Sequence, residues 1–121
     1  MQTARRLPVG AEVTEEGVHF RVWAPARQRV EVQLESAPGG CHSLQPEGNG
    51  YYSGLVAGLT AGARYRYKLD GGGAFPDPAS RYQPDGPHGP SEVVDPSAYR
   101  WADGGWKGCS AQGQVVYEMH L

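Results

Sequence analysis

Apolar and polar side chains alternate along the chain up to Leu69, the period of a strand with one face buried and one wetted. In EGVHFRVWAP this predicts a strand with Val18, Phe20 and Val22 turned inward and His19, Arg21 and Trp23 outward. It ends at Pro25, which has no amide to give to a ladder. QRVEVQLE repeats the pattern, with Val30, Val32 and Leu34 inward and Glu31, Gln33 and Glu35 outward. CHSLQPEGNGYYSGLV predicts two shorter strands around a Glu-Gly-Asn-Gly reversal, where Gly and Asn tolerate positive φ. In ARYRYKLDGGG, Tyr65, Tyr67 and Leu69 share one face and Arg64, Arg66 and Lys68 the other. A flexible reversal at Gly71 to Gly73 follows, since no helix with phosphate-binding spacing comes after it.

Leu59 and Gly62 precede Tyr65 as in the tyrosine corner of immunoglobulin-like sandwiches, which predicts a phenol bonded back to the backbone at the crossing between sheets. The fold expected is therefore an all-β, immunoglobulin-like antiparallel β-sandwich within residues 1–95. Its last part carries five prolines from Pro76 to Pro90, which preclude a regular helix or central strand. With Arg81, Tyr82, Val93 and Val94 among them, this segment reads as a strap packed on a surface, although disorder in the isolated chain fits the same composition. Residues 96–113 are a glycine-rich connector holding Trp101 and Trp106, and residues 114–121, QVVYEMHL, alternate again as a final strand.

Composition agrees with this design. The 121 residues include 18 Gly and 10 Pro, the content of a chain with many turns between short elements. A net charge of -2 gives no electrostatic pull toward nucleic acid or anionic lipid. No apolar stretch reaches the length of a signal peptide or membrane span, so a cytoplasmic setting is expected. Cys41 and Cys109 stand outside any metal spacing and read as free thiols.

Candidate chemistry is sparse. Asp77, Asp85 and His88 lie within one loop, but their spacing matches no metal site or catalytic triad, so turn-forming aspartates and a packed histidine account for them. No G-x-S-x-G, H-E-x-x-H or P-loop occurs. No catalytic residue, metal or cofactor is assigned. Aromatic side chains offer a binding chemistry, because a flat ring stacks on the C–H face of a sugar while polar neighbours bond its hydroxyls. Trp23, Tyr51 and Tyr52, with the basic stripe of Arg64, Arg66 and Lys68, are the candidate glucan-binding or domain-interface residues. Packing against another domain is the plainer explanation for an outward aromatic.

GVHFRVWAPARQRVEVQL resembles the opening of the amino-terminal β-sandwich, carbohydrate-binding module family 48, that precedes the catalytic barrel in many α-amylase family (glycoside hydrolase family 13) enzymes. DPASRYQPDGPHGPSEVVDPSAYRWADGGWKG followed by QVVYEMH is similar to the malto-oligosyltrehalose trehalohydrolases within that family. Pro87 and Met119 depart from the pattern where valine and leucine are expected. Branching and debranching enzymes share the module, and an autonomous α-glucan-binding module is the alternative reading. The resemblance implies a non-catalytic accessory domain that docks on its own TIM barrel and shapes the cleft. Arg81, Tyr82, His88, Trp101 and Trp106 then lie at the barrel interface, and QVVYEMHL is the barrel's first strand. The carboxylates that cleave maltooligosyl trehalose would lie on later strands, outside this chain. Maltooligosaccharide or maltooligosyl trehalose is the implied ligand. The open edge of the terminal strand also invites dimerisation.

Overall fold

The computed structural model describes residues 4–121, which form nine strands, one 3₁₀ turn and no α-helix. In chain order the strands are β1 (Gly10–Val13), β2 (Gly17–Trp23), β3 (Val30–Leu34), β4 (Gly40–Ser43), β5 (Gln45–Pro46), β6 (Tyr51–Ala57), β7 (Arg64–Leu69), β8 (Ala74–Phe75) and β9 (Ser91–Glu92). One sheet runs β1-β2-β6-β5 and the other β4-β3-β7-β8, with β9 pairing β7 beside β8. Every ladder is antiparallel. The chain changes sheet at one residue: β4 pairs β3, β5 pairs β6, and Leu44 between them is buried, with its N–H donating to Val30 O at 2.9 Å.

The alternating pattern sets the core. Val18, Phe20 and Val22 of one sheet meet Val30, Val32, Leu34, Tyr65 and Tyr67 of the other, all buried. Phe20 stands edge-to-face on Tyr65 with ring centroids 4.9 Å apart, an arrangement that contributes about 1 kcal/mol beyond area burial.

Two buried phenols in an apolar core need hydrogen-bond partners. The corner geometry predicts a backbone acceptor for Tyr65, and the structure corrects this. The Tyr65 hydroxyl donates to Asp77 Oδ2 at 2.7 Å, and Tyr67 reaches the same oxygen at 3.4 Å. Asp77 is thus a buried acid, and its local turn is only part of its role. Its Oδ1 accepts from the Ala79 N–H at 2.8 Å, and its own N–H donates to Ser91 Oγ at 3.0 Å. The reason is topological: β8 leads the chain along the free edge of β7, so the residue after Pro76 lies over the tyrosines, and a carboxylate there is a stronger acceptor than a carbonyl.

The proline-rich strap is ordered around this point. The Gln83 amide donates to Gly86 O and Gly89 O at 3.2 and 3.0 Å while its oxygen accepts from Ser91 Oγ. The Glu92 N–H closes the loop on Tyr82 O at 3.0 Å. At its far side Arg81 donates to Val9 O and Ala11 O at 2.9 and 3.3 Å, tying the strap to β1. Gly10 permits the approach: its φ is +91°, and a Cβ there would stand 3.2 Å from Ala79 O.

Beyond β9, Asp95 caps the 3₁₀ turn Pro96–Ala98 by accepting from the Ser97 N–H at 3.0 Å. QVVYEMHL joins no ladder here, and its apolar side chains are exposed, Val115 by 92% and Val116 by 91%. A lone extended segment has no neighbour for its backbone groups and leaves them to water.

Burial pushes the Asp77 carboxyl above the usual aspartate value, although Tyr65, Ala79 and Tyr67 all favour its charged form. A folded-state value raised above 3.8 makes the protonated form the stabilising one, so its contribution is lost as pH rises through that folded value. Asp77→Asn, which cannot ionise, should show no such slope, and the stability of the wild type relative to this variant should fall with pH across that window. Asp77→Ala strands two buried hydroxyls and should cost about 2 kcal/mol or more in urea unfolding.

Candidate functional site

The outer face of the first sheet carries the chemistry. On β2 the outward positions are His19, Arg21 and Trp23; across β6 they face Leu55, Ser53 and Tyr51, and across β1 His19 faces Glu12 and Arg21 faces Gly10. The face is divided into a sealed half and an open half.

At the sealed half, residues 4–9 fold back over the sheet. The Arg5 guanidinium donates to Leu7 O at 3.0 Å, to His19 Nδ1 and His19 O at 2.8 Å each, and to Gly10 O at 2.8 Å. Glu12 accepts from the Arg6 and Leu7 N–H groups at 2.9 and 3.2 Å and pairs with the Arg6 guanidinium at 3.2 Å. His19, expected on a wet face, is therefore buried, as is Glu12. Burial pushes the Glu12 carboxyl up, but the two backbone N–H groups, the Arg6 side chain and the Arg5 charge together hold it below the ordinary glutamate value. Alternation alone could not reveal this cover. The signal was Arg5 and Arg6 a few residues before a strand whose outward position is an acid.

At the open half, Trp23 is 60% exposed and stands opposite Tyr51 in register. The Arg21 guanidinium lies 3.8 Å over the centre of the Tyr51 ring, a cation–π contact. It forks onto Glu47 at 2.8 and 3.1 Å and donates to Pro8 O at 2.6 Å. The hydrogen bond between them raises the Arg21 pKa and lowers that of Glu47. Arg21 covers one face of Tyr51, so Trp23 offers the freer ring. An open groove of about 470 Å³ runs between the halves, lined by Arg5, Arg21, His19, Glu47 and Ser53. Its arginines already donate to the protein's own acceptors, which leaves them little to offer an anion.

The other candidates lie elsewhere. Tyr52 points into the core, with its hydroxyl donating to Arg27 O at 2.6 Å. Arg64, Arg66 and Lys68 line the outer face of the second sheet, on the opposite side of the sandwich from Trp23. Arg64 pairs with Asp85 at 2.7 Å and Glu92 at 3.3 Å, and Arg66 with Glu35 at 2.8 Å. The two arginines of the stripe thus carry their own counter-charges, and the structure does not bring the stripe together with the aromatics. Asp77, Asp85 and His88 do not converge either: Asp77 is buried, Asp85 sits on Arg64, and His88 is exposed, with its carbonyl taking a bond from Arg66 at 3.1 Å. Among the described residues no group of three or more potential metal ligands occurs. Arg81 is engaged with β1, and Tyr82 is half exposed on the strap. Trp101 and Trp106 stand in solvent; Trp101 meets Tyr99 edge-to-face at 4.9 Å.

Two antiparallel sheets with a strand switch between them define an immunoglobulin-like β-sandwich whose outer face bears an aromatic patch. A family model described as carbohydrate-binding module 48 (isoamylase N-terminal domain) matches residues 8–98, and the chain belongs to that family. It is 35% identical over 115 residues to a malto-oligosyltrehalose trehalohydrolase of Saccharolobus solfataricus, covering 95% of this chain and 20% of that protein. It is 34% identical to the 1,4-alpha-glucan branching enzyme GlgB of Thermosynechococcus vestitus, over 88% of this chain and 15% of that one. A solved structure from Salmonella typhimurium, provisionally described as an alpha amylase, superposes with a TM-score of 0.76 at 41% identity, covering 85% of this chain and 17% of its own. The chain thus spans a fifth or less of the length of these proteins.

Arg21→Ala removes the ring contact, the fork to Glu47 and the hold on Pro8 together, and should lower unfolding stability by about 1 kcal/mol or more. Trp23→Ala removes a mostly exposed ring and should cost about 0.5 kcal/mol or less. Urea titration of the two variants checks the order, and the reverse order would contradict this account of the face.

Proposed function

We propose that this chain is the non-catalytic amino-terminal module of a glycoside hydrolase of the trehalohydrolase type, docked on its catalytic barrel and forming part of the wall of the substrate cleft. The observation that carries the reading is the exposed tail. Tyr99, Trp101, Trp106, Val115, Val116, Tyr117 and Met119 all face solvent, and an apolar surface of that extent calls for a covering partner. In this reading QVVYEMHL pairs as the first barrel strand, Trp101 and Trp106 are buried at the junction, and Tyr82 and His88 of the strap face the barrel. Arg81 supports that surface from behind by fixing the strap to β1. The shared length with the trehalohydrolase supports the same assignment; a branching or debranching parent is the alternative. A reducing cytoplasmic setting goes with the two exposed free thiols, Cys41 and Cys109.

A chimera joining this chain to the barrel of a trehalohydrolase tests the reading. Tryptophan emission should shift to the blue as Trp101 and Trp106 are covered, and the chimera should release trehalose from maltooligosyl trehalose while the chain alone does not. Turnover by the chain alone, or tail tryptophans that stay quenchable by iodide in an active chimera, would contradict it.

The exposed Trp23 beside Tyr51 favours a second reading, direct contact with an α-glucan. Titration with maltoheptaose should then move the Trp23 indole and Tyr51 amide resonances and leave Arg64, Arg66 and Lys68 still. An unchanged spectrum leaves the scaffold role.

A further inference from the structure

We propose that Arg5, Glu12 and His19 form an acid-sensitive latch that holds residues 4–9 over the outer face of the first sheet and opens when the His19 imidazole is protonated. A guanidinium donates only, so the contact at 2.8 Å between Arg5 and His19 Nδ1 requires that nitrogen to be an acceptor. His19 is then neutral, with its proton on Nε2. Protonation places an N–H against an N–H and a second cation beside the first, at a residue that is only 8% exposed.

The latch has no slack to absorb that change. The same guanidinium also holds His19 O, Gly10 O and Leu7 O, so losing the ring contact disturbs the whole fork. Five charged groups surround the ring: Arg5 and Arg6 from the amino-terminal segment, Glu12 from β1, Arg21 from β2 and Glu47 from the β5–β6 turn. Leu55 and Ser53 of β6 add no charge. Glu12 and Glu47 favour the imidazolium, but Glu12 already pairs with Arg6 and Glu47 with Arg21, so burial and the Arg5 charge prevail and hold the His19 value below 6.5. A depressed histidine adds stability above about 6.5, and that contribution is lost as pH falls below it. Opening would also pull Pro8 from Arg21, so the latch reaches the edge of the Trp23 and Tyr51 patch.

The amides of Arg6 and Leu7, bonded to Glu12, report the latch directly. Hydrogen exchange of the whole 121-residue chain between pH 7.5 and 5.5, corrected for intrinsic rates, should show their protection falling several-fold, up to a limit of about tenfold set by a ring that titrates at its ordinary value once the latch is open. Core amides of β2 and β7 should keep theirs. His19→Asn places an amide oxygen close to Nδ1 and has no proton to gain, so it should keep the segment protected at both pH values. Arg5→Gln should leave it unprotected at both. Protection in the wild type that does not change with pH, or an equal fall in His19→Asn, overturns the proposal. The His19 ring resonances in the wild type give a second reading that needs no variant: titration at or above 6.5 overturns it, and titration below 6.5 in step with loss of Arg6 and Leu7 protection supports it.

Discussion

One buried carboxylate joins the two parts of this module. The sandwich supplies Tyr65 and Tyr67 with hydroxyls that cannot be left bare in an apolar core, and the strap supplies the acceptor for both in Asp77. Each side needs the other: without the strap the core has two unsatisfied donors, and without the tyrosines the strap has a buried carboxyl group and little apolar surface of its own. From Asp77 the order spreads through Ser91 and Gln83 to β9, and through the turn at Ala79 to Arg81 and β1. A segment with five prolines, unable to form a ladder along its length, is held instead by side chains.

The same logic divides the outer face of the first sheet. Charged groups seal one half because Arg5 has four acceptors within reach, and the other half stays open because Arg21 is drawn onto Glu47 and Tyr51, beside Trp23. What remains accessible is an exposed indole on one side of the sandwich and, on the other, a basic stripe whose two arginines are paired with acids. The proposed docking beside another domain rests on this combination of one small aromatic patch and an exposed apolar tail.

Much of this was legible in the sequence. Val18, Phe20 and Val22, then Val30, Val32 and Leu34, then Tyr65 and Tyr67 turn inward as the two-residue period requires, because a strand with one buried face leaves no other choice of register. The Gly-rich reversals fell where expected for the same local reason. What escaped was long-range. Tyr52 sits on the inner face because its register partner is Val22, which only the pairing of β2 with β6 decides. His19 is buried by a segment fourteen residues upstream. Asp77 looked like a turn residue, and it does make one, but its second oxygen meets a phenol twelve residues away. The terminal QVVYEMHL has the period of a strand and no neighbour to make it one.

Native-state hydrogen exchange of the unmodified chain in rising denaturant shows whether Asp77 makes strap and sandwich a single cooperative unit. The amides of Asp77, Glu92 and Val93 should exchange with the same free energy and denaturant slope as those of Tyr65 and Tyr67, because opening the strap pulls β9 from β7 and Val93 from the core together with the acceptor of both hydroxyls. Strap amides that exchange through a separate opening of much lower free energy, with little denaturant dependence, would show that the strap is an independent loop and contradict the account.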